Sequence, residues 1–164
     1  MEKISVLFVC MGNICRSPTA QGVFEQQVRQ RGLQEWVLTD SAGTHAYHIG
    51  EPPDRRSQAA AAGRGVDLSL QRARQVQVDD FERFDYLLAM DLANLQALQR
   101  LAKPVQRGRA RLFMEFASRW VEREVPDPYY GGSGGFERVL DMVEDASEGL
   151  LEHILRQTPP TAGR

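Results

Sequence analysis

A cysteine and an arginine separated by five residues form the most reactive pattern in the chain. Cys10 and Arg16 lie in the segment CMGNICRSP. A loop of this length can point its backbone N–H groups at an anion, and the planar fork of an arginine can hold two phosphoryl oxygens at once. A helix N-terminus and a nearby arginine also favour the thiolate form of a cysteine. The pattern therefore predicts a phosphate-binding loop in which Cys10 is an ionised nucleophile.

The flanking residues predict a strand before this loop and a helix after it. Residues 4–9 are mostly apolar and branched, which is typical of a strand buried on both faces of a parallel sheet. Ser17 and Pro18 predict a helix N-cap and first helical residue. Gly12 and Asn13 are best able to adopt left-handed backbone angles. An isolated pair at this spacing would more often be a buried cysteine and a solvated arginine, but this context favours an anion site.

Asp127 is the candidate proton donor. It lies between Pro126 and Pro128, so its segment cannot form a helix interior or a central strand. A rigid loop can hold one carboxyl group over a pocket, and cleavage of a phosphate ester by a thiolate needs an acid for the departing oxygen. From the residues alone, an ordinary turn aspartate is an equally good interpretation.

Several segments resemble the low-molecular-weight protein tyrosine phosphatases. They are residues 6–20, 40–44, 50–55, 84–91 and 125–130. The first and last segments are the most specific, and the resemblance covers nearly the whole chain. It implies the phosphatase fold and a proton-donating role for the aspartate of the last segment.

The resemblance implies two-step hydrolysis of phosphotyrosine and other aryl phosphates, without a cofactor or a metal. Cys10 attacks phosphorus to form a cysteinyl-phosphate while Asp127 protonates the departing phenol. Asp127 then acts as the base for the water that releases phosphate, and Arg16 and the loop amides stabilise the phosphoryl oxygens. The other residues expected to bind phosphate are Met11, Gly12, Asn13, Ile14, Cys15 and Ser17.

Further residues match family positions around the loop. Tyr47 and Tyr129 correspond to aromatic walls that would select phosphotyrosine over the shorter phosphoserine. Ser41 corresponds to a serine that braces the loop, although by itself it is equally a turn residue, as Tyr47 is equally a surface aromatic. Gln71 replaces a histidine of many members, so we expect an altered rate and pH profile. Ile14 resembles the tyrosine-directed members rather than those that prefer phosphoarginine.

Cys15 is the only other cysteine. Two cysteines and no signal peptide indicate a reducing, cytoplasmic location rather than a disulfide scaffold. Family members form a reversible disulfide between the two loop cysteines, which would make the enzyme redox-sensitive. The alternative is that Cys15 is a small apolar packing residue.

Composition fits a globular domain. The 164 residues are 42% hydrophobic with a net charge of −2, and no apolar stretch approaches membrane-spanning length. We therefore expect neither a nucleic-acid nor a membrane partner, and a monomer. The partners that the family implies are phosphotyrosine-containing proteins, with inorganic phosphate as product and competitive inhibitor.

Alternating strands and helices predict one α/β domain over residues 1–157 and a flexible tail over 158–164. The sheet is expected to have four parallel strands with helices on both faces, and the phosphate loop follows the first strand. The predicted strands are 4–9, 36–39, 86–89 and 110–113, and the predicted helices are 18–31, 55–63, 91–102 and 135–157.

Two other functions fit parts of the pattern. A thiol-dependent arsenate reductase shares this fold and loop, but its chemistry passes oxidation to further thiols, and no cysteine follows Cys15. A non-catalytic phosphotyrosine-binding module is the second alternative. Retention of Cys10, Arg16 and Asp127 together argues against it.

Overall fold

Four strands form one parallel sheet in a computed structural model that describes residues 3–129, 131 and 134–158. Tyr130 and nearly all of the predicted tail lie outside the described residues. The strand order is β2-β1-β3-β4, which confirms the predicted four-stranded parallel sheet. The strands are β1 Ile4–Cys10, β2 Val37–Gly43, β3 Tyr86–Ala89 and β4 Ala110–Leu112.

Helices cover both faces of the sheet, as predicted. Alternate side chains of β1 point to opposite faces, so Val6 and Phe8 join one core while Leu7 and Val9 join the other. The helices are α1 Arg16–Gln30, α2 Arg55–Ala62, α3 Asp80–Arg83, α4 Leu92–Leu101 and α5 Gly134–Gln157. The first core contains residues of α1 and α5, and the second contains residues of α3 and α4.

The long helix α5 carries the predicted apolar stripe, and all of its members are buried. The buried stripe comprises Phe136, Val139, Leu140, Val143, Leu150, Leu151 and Ile154.

Among the described residues, no helix is both long enough and apolar enough to span a bilayer.

Helix α1 starts earlier than its sequence suggests. It begins at Arg16 with Cys15 at the N-cap position and no side-chain cap, so the prediction that Ser17 caps the helix is wrong. The Ser17 hydroxyl contacts Cys10 and Asn13 instead. The Ser17 side chain therefore takes part in the polar contacts of the loop rather than in capping α1.

Strand β2 extends beyond its predicted end at residue 39. It keeps parallel register with β1 until Gly43 lies opposite Cys10, so Ser41 belongs to a strand rather than to a turn. A Cβ atom on Gly43 would lie 2.7 Å from the carbonyl oxygen of Met11, which explains why the strand meets the loop at a glycine. The short helix α3 and two 3₁₀ segments, Pro104–Arg109 and Phe113–Phe116, have no counterpart in the prediction.

Candidate active site

A cavity of about 320 Å³ opens at the carboxyl end of β1. It is formed by the predicted phosphate loop, by residues 47–48 and by the segment around Asp127. Asp127 therefore lies beside the loop although it comes 111 positions after Arg16 in the sequence (127 − 16). The lining residues are Cys10, Met11, Gly12, Ile14, Cys15, Arg16, Tyr47, His48, Asp127 and Tyr129.

Cys10 lies at the last position of β1 and is only 3% exposed. Its Sγ is 3.0 Å from the Ser17 hydroxyl oxygen and accepts a hydrogen bond of 3.3 Å from the backbone N–H of Asn13. The Ser17 oxygen already accepts from the Asn13 amide at 2.8 Å, so its own proton is free to point at the sulfur. The sulfur of Cys10 is therefore held by polar contacts on two sides.

Asn13 organises the loop from within. It adopts the left-handed conformation with φ 59°, whereas Gly12, which was also expected to be able to do so, has no positive φ. The Asn13 side-chain amide donates to Ser17 and to Ser41, at 2.8 and 2.9 Å, and its carbonyl oxygen accepts from the backbone N–H of Arg74 at 2.9 Å. One side chain therefore fixes the loop to β2 and to the segment before α3.

Gln71 extends these polar contacts behind the loop. The Ser41 hydroxyl makes a long hydrogen bond of 3.4 Å to Oε1 of Gln71, and the amide nitrogen of Gln71 donates to the carbonyl oxygen of Pro18 at 3.0 Å. Ser41 and Gln71 do not line the cavity; they lie behind the loop that forms its floor. An amide does not titrate, so position 71 adds no pH-dependent charge to these contacts.

Arg16 is buried beside two carboxylates. Its Nη1 donates to Asp91 at 2.7 Å and to the carbonyl oxygen of Val125 at 3.1 Å, and its Nη2 is 3.8 Å from Asp127. Burial acts to lower the pKa of Arg16, but the Cys10 thiolate and the two carboxylates outweigh it and raise that pKa. The guanidinium therefore keeps its charge inside the pocket.

Asp91 is a site residue that the sequence did not assign. Helix 91–102 was predicted to begin here, and Asp91 does cap α4 by accepting from the backbone N–H of Asn94 at 2.7 Å. Its second oxygen holds Arg16. The sequence did offer a signal: Asp91 comes two residues after the end of the strand that pairs with β1, and the carboxyl ends of parallel strands share one edge of the sheet.

The segment around Asp127 is exposed between two anchored ends. Val125 is fully buried, and its N–H donates to the carbonyl oxygen of Met90 at 2.8 Å. Downstream, the N–H of Tyr129 donates to Oδ1 of Asp127 at 3.0 Å. The carboxyl group between these ends is 32% exposed and faces Arg16.

Aromatic rings form the rim of the cavity. Tyr47 is 70% exposed and stacks on His45 with ring centroids 5.1 Å apart, and Tyr129 is 40% exposed. His48 also lines the cavity; its Nδ1 lies 2.7 Å from Glu51, and its ring lies over the loop at Gly12. These rings can flank a flat aryl group above the loop.

Cys15 lines the same cavity but is chemically different from Cys10. It is 5% exposed, and burial raises the pKa of its thiol to about 12, with a smaller opposing effect from Ser57. Cys15 is therefore a neutral thiol near pH 7, and a neutral thiol is a poor nucleophile.

Comparison with known proteins places these features in a family. The family profile described as low molecular weight phosphotyrosine protein phosphatase matches residues 5–159. A low molecular weight protein-tyrosine-phosphatase of Streptomyces coelicolor is 47% identical over 156 residues, covering 93% of this chain and 94% of the relative. A low molecular weight phosphotyrosine protein phosphatase of Schizosaccharomyces pombe is 42% identical over 154 residues, covering 93% and 98%.

A solved structure agrees with this similarity. The crystal structure of a protein tyrosine phosphatase from Entamoeba histolytica, with Hepes in its active site, superposes with a TM-score of 0.92 at 38% identity. The alignment covers 94% of this chain and 99% of that one. The chain belongs to the low molecular weight phosphotyrosine protein phosphatase family. It is therefore a phosphoric monoester hydrolase of the protein tyrosine phosphatase type.

Proposed function

We propose that the chain hydrolyses phosphotyrosine in proteins through a cysteinyl-phosphate intermediate. One observation carries the proposal: a buried cysteine sulfur with two hydrogen-bond donors lies in the same cavity as a charged arginine and an aspartate. A thiolate, a cation for the phosphoryl oxygens and an acid for the leaving oxygen are the groups that this reaction requires.

In the first step, the Cys10 thiolate attacks phosphorus and the bond to the phenolic oxygen breaks. The proton of Asp127 passes to that oxygen, so that a neutral phenol leaves. In the second step, the Asp127 carboxylate takes a proton from water while the water attacks phosphorus. The sulfur–phosphorus bond then breaks, inorganic phosphate forms and the thiolate is restored.

Arg16 stabilises the phosphoryl oxygens in both steps. Asp91 holds the guanidinium through a hydrogen bond of 2.7 Å, so the orientation of Arg16 is set before substrate binds. A charge that needs no reorganisation stabilises the transition state more effectively than a mobile one. The product, inorganic phosphate, would occupy the same loop and inhibit competitively.

Specificity follows from the rim. Tyr47 and Tyr129 would stack on the phenyl ring of phosphotyrosine, while phosphoserine is too short to reach the loop past them.

Reversible oxidation of Cys10 by way of Cys15 is part of the proposal, because both lie in one loop and both are free thiols. It is tested by recovery after peroxide: the wild type should recover with dithiothreitol and Cys15→Ser should not.

The proposed reaction is tested by substrate choice and by trapping. Matched peptides carrying phosphotyrosine, phosphoserine or phosphoarginine should be turned over in the first case only. Rapid acid quenching during turnover, followed by mass spectrometry, should find phosphate on Cys10. Preference for another peptide would overturn the substrate assignment. Phosphate on another residue, or none under conditions where release of phosphate limits the rate, would overturn the mechanism.

A further inference from the structure

An arginine outside the cavity lining contacts the aspartate segment. The Nε and Nη2 of Arg56 donate to the two oxygens of Asp54, at 3.1 and 3.0 Å, and Nη1 donates to the carbonyl oxygen of Tyr129 at 3.2 Å. Its guanidinium carbon is 5.2 Å from the ring centroid of Tyr129 and 4.8 Å from that of Phe136. Three elements therefore meet at this side chain: the start of α2, the aspartate segment and the start of α5.

The contacts continue in both directions to the reacting groups. On one side, the N–H of Asp54 donates to the carbonyl oxygen of Ile14, in the phosphate loop, at 2.8 Å. On the other side, the N–H of Tyr129 donates to the carboxyl group of Asp127 at 3.0 Å. The route from Ile14 to Asp127 thus runs through Asp54, Arg56 and Tyr129. Neither Asp54 nor Arg56 lines the cavity.

We propose that Arg56 is a positioning residue that holds Asp127 at the correct height and angle over the phosphate loop. The inference rests on the proposed function, in which Asp127 is the general acid. Arg56 acts through Tyr129 and does not touch the reacting atoms.

The geometry suits an arginine. Its planar fork engages both oxygens of Asp54 while one further N–H reaches a carbonyl, and its faces contact aromatic rings. A lysine could keep the cation near the Tyr129 ring, but it could not make these contacts at fixed angles. Arg56 therefore contributes hydrogen bonds at fixed angles, and not only a positive charge.

Stability is a poor explanation for this arrangement. The side chain of Arg56 is 48% exposed, and exposed ion pairs contribute little to the free energy of folding. Arg56→Ala should therefore fold normally, and an effect on turnover can be attributed to the position of the acid.

The test is a double-mutant cycle with two leaving groups. With a poor leaving group such as phenol, Arg56→Ala should lower kcat about tenfold, because a displaced acid protonates less effectively. With an activated leaving group that needs little protonation, kcat should change less than about twofold. In an Asp127→Ala background, the further substitution Arg56→Ala should have no effect, because the acid is already absent.

Two control variants complete the cycle. Arg56→Lys should fall between the wild type and Arg56→Ala on the poor leaving group. Arg64→Ala is the matched surface control: Arg64 makes ion pairs with Glu137, Asp141 and Glu144 of α5, and it should leave kcat on both substrates unchanged.

The outcomes separate this inference from the function on which it rests. If Asp127→Ala loses activity equally on both leaving groups, the acid role fails, and the inference fails with it. If Asp127→Ala behaves as expected but Arg56→Ala loses activity equally on both, or loses as much again in the Asp127→Ala background, only the positioning role of Arg56 is overturned. An unchanged kcat for Arg56→Ala on the poor leaving group overturns it as well.

Discussion

The phosphate loop and the aspartate segment face the same cavity but are built differently. The loop, from Cys10 to Arg16, holds its essential side chains almost fully buried, and those of Cys10, Asn13 and Arg16 are 2–4% exposed. The segment from Val125 to Tyr129 is anchored at its ends and leaves its carboxyl group 32% exposed. The phosphate loop therefore has its key side chains buried, whereas the aspartate segment is held at its ends and leaves its carboxyl group exposed.

This difference assigns separate tasks to the two regions. The sulfur needs a fixed set of donors, and a short buried loop provides them with few degrees of freedom. In the proposed mechanism, Asp127 first gives up a proton and later accepts one, which requires contact with water in the second step. The comparison predicts that the loop tolerates almost no change, whereas changes around the aspartate alter individual steps.

The largest effect is expected for Cys10→Ser. Without the thiolate the first step has no competent nucleophile, so kcat on p-nitrophenyl phosphate should fall by about 10⁴-fold or more. Because the loop amides and Arg16 remain, the variant should still bind inorganic phosphate. Added phosphate should therefore raise its melting temperature. Turnover close to that of the wild type would show that another residue is the nucleophile.

Next in size is Asp127→Ala. With a phenol leaving group, kcat should fall by about 10² to 10³-fold, since general acid catalysis typically contributes this much. With a strongly activated leaving group the loss should be clearly smaller, and rates across a series of aryl phosphates measure the dependence. Equal losses throughout the series would remove the distinction between the nucleophilic loop and the acid segment.

Asn13→Ala should show how much of the loop depends on one side chain. It removes three hydrogen bonds and places an alanine at φ 59°, so kcat/KM should fall by about 10 to 100-fold. Asn13→Gly is the matched control, because glycine accepts this backbone angle but lacks the amide. If Asn13→Gly restores activity, backbone conformation rather than hydrogen bonding explains the loss.

The smallest effect on turnover is expected for Asp145→Asn. Asp145 is 1% exposed on α5 and accepts from the backbone N–H groups of Ser118, Arg119 and Trp120, upstream of the aspartate segment. Burial acts to raise its pKa, but these N–H groups and the charge of Arg119 outweigh it and lower that pKa. The substitution should lower the free energy of unfolding by about 2 kcal/mol at pH 7 and leave kcat on activated substrates unchanged.

The pH dependence of this difference has a definite sign. A depressed pKa in the folded state stabilises the protein above the unfolded value of about 3.9, and this contribution is lost as pH falls through the folded pKa. Urea unfolding should therefore give a gap between wild type and Asp145→Asn that narrows below about pH 4. Asp141→Asn, an exposed change on the same helix, is the control for surface charge, and a constant gap at all pH values would refute the linkage.

Local patterns were sufficient to predict most of the fold. The parallel sheet, the helices on both faces and the buried stripe of α5 follow from residue periodicity, which depends on neighbours along the chain. The errors lie at element ends and in three short helical segments that were not predicted. Ser17 was taken for a helix cap, and β2 was ended at residue 39. Both boundaries are set by contacts with β1 and its loop, which periodicity does not reveal.

For the site, the sequence by itself was enough to predict the nucleophile, the phosphate-binding loop and the candidate acid. Cys10, Asn13 and Arg16 lie within one short loop, so their proximity is a property of local geometry. Only the tertiary structure decided that Asp91 orients Arg16, that Gln71 closes the contacts behind Ser41 and that Arg56 reaches Tyr129. These partners lie on different elements, and parallel strand pairing and helix packing bring them together over distances that no spacing along the chain encodes.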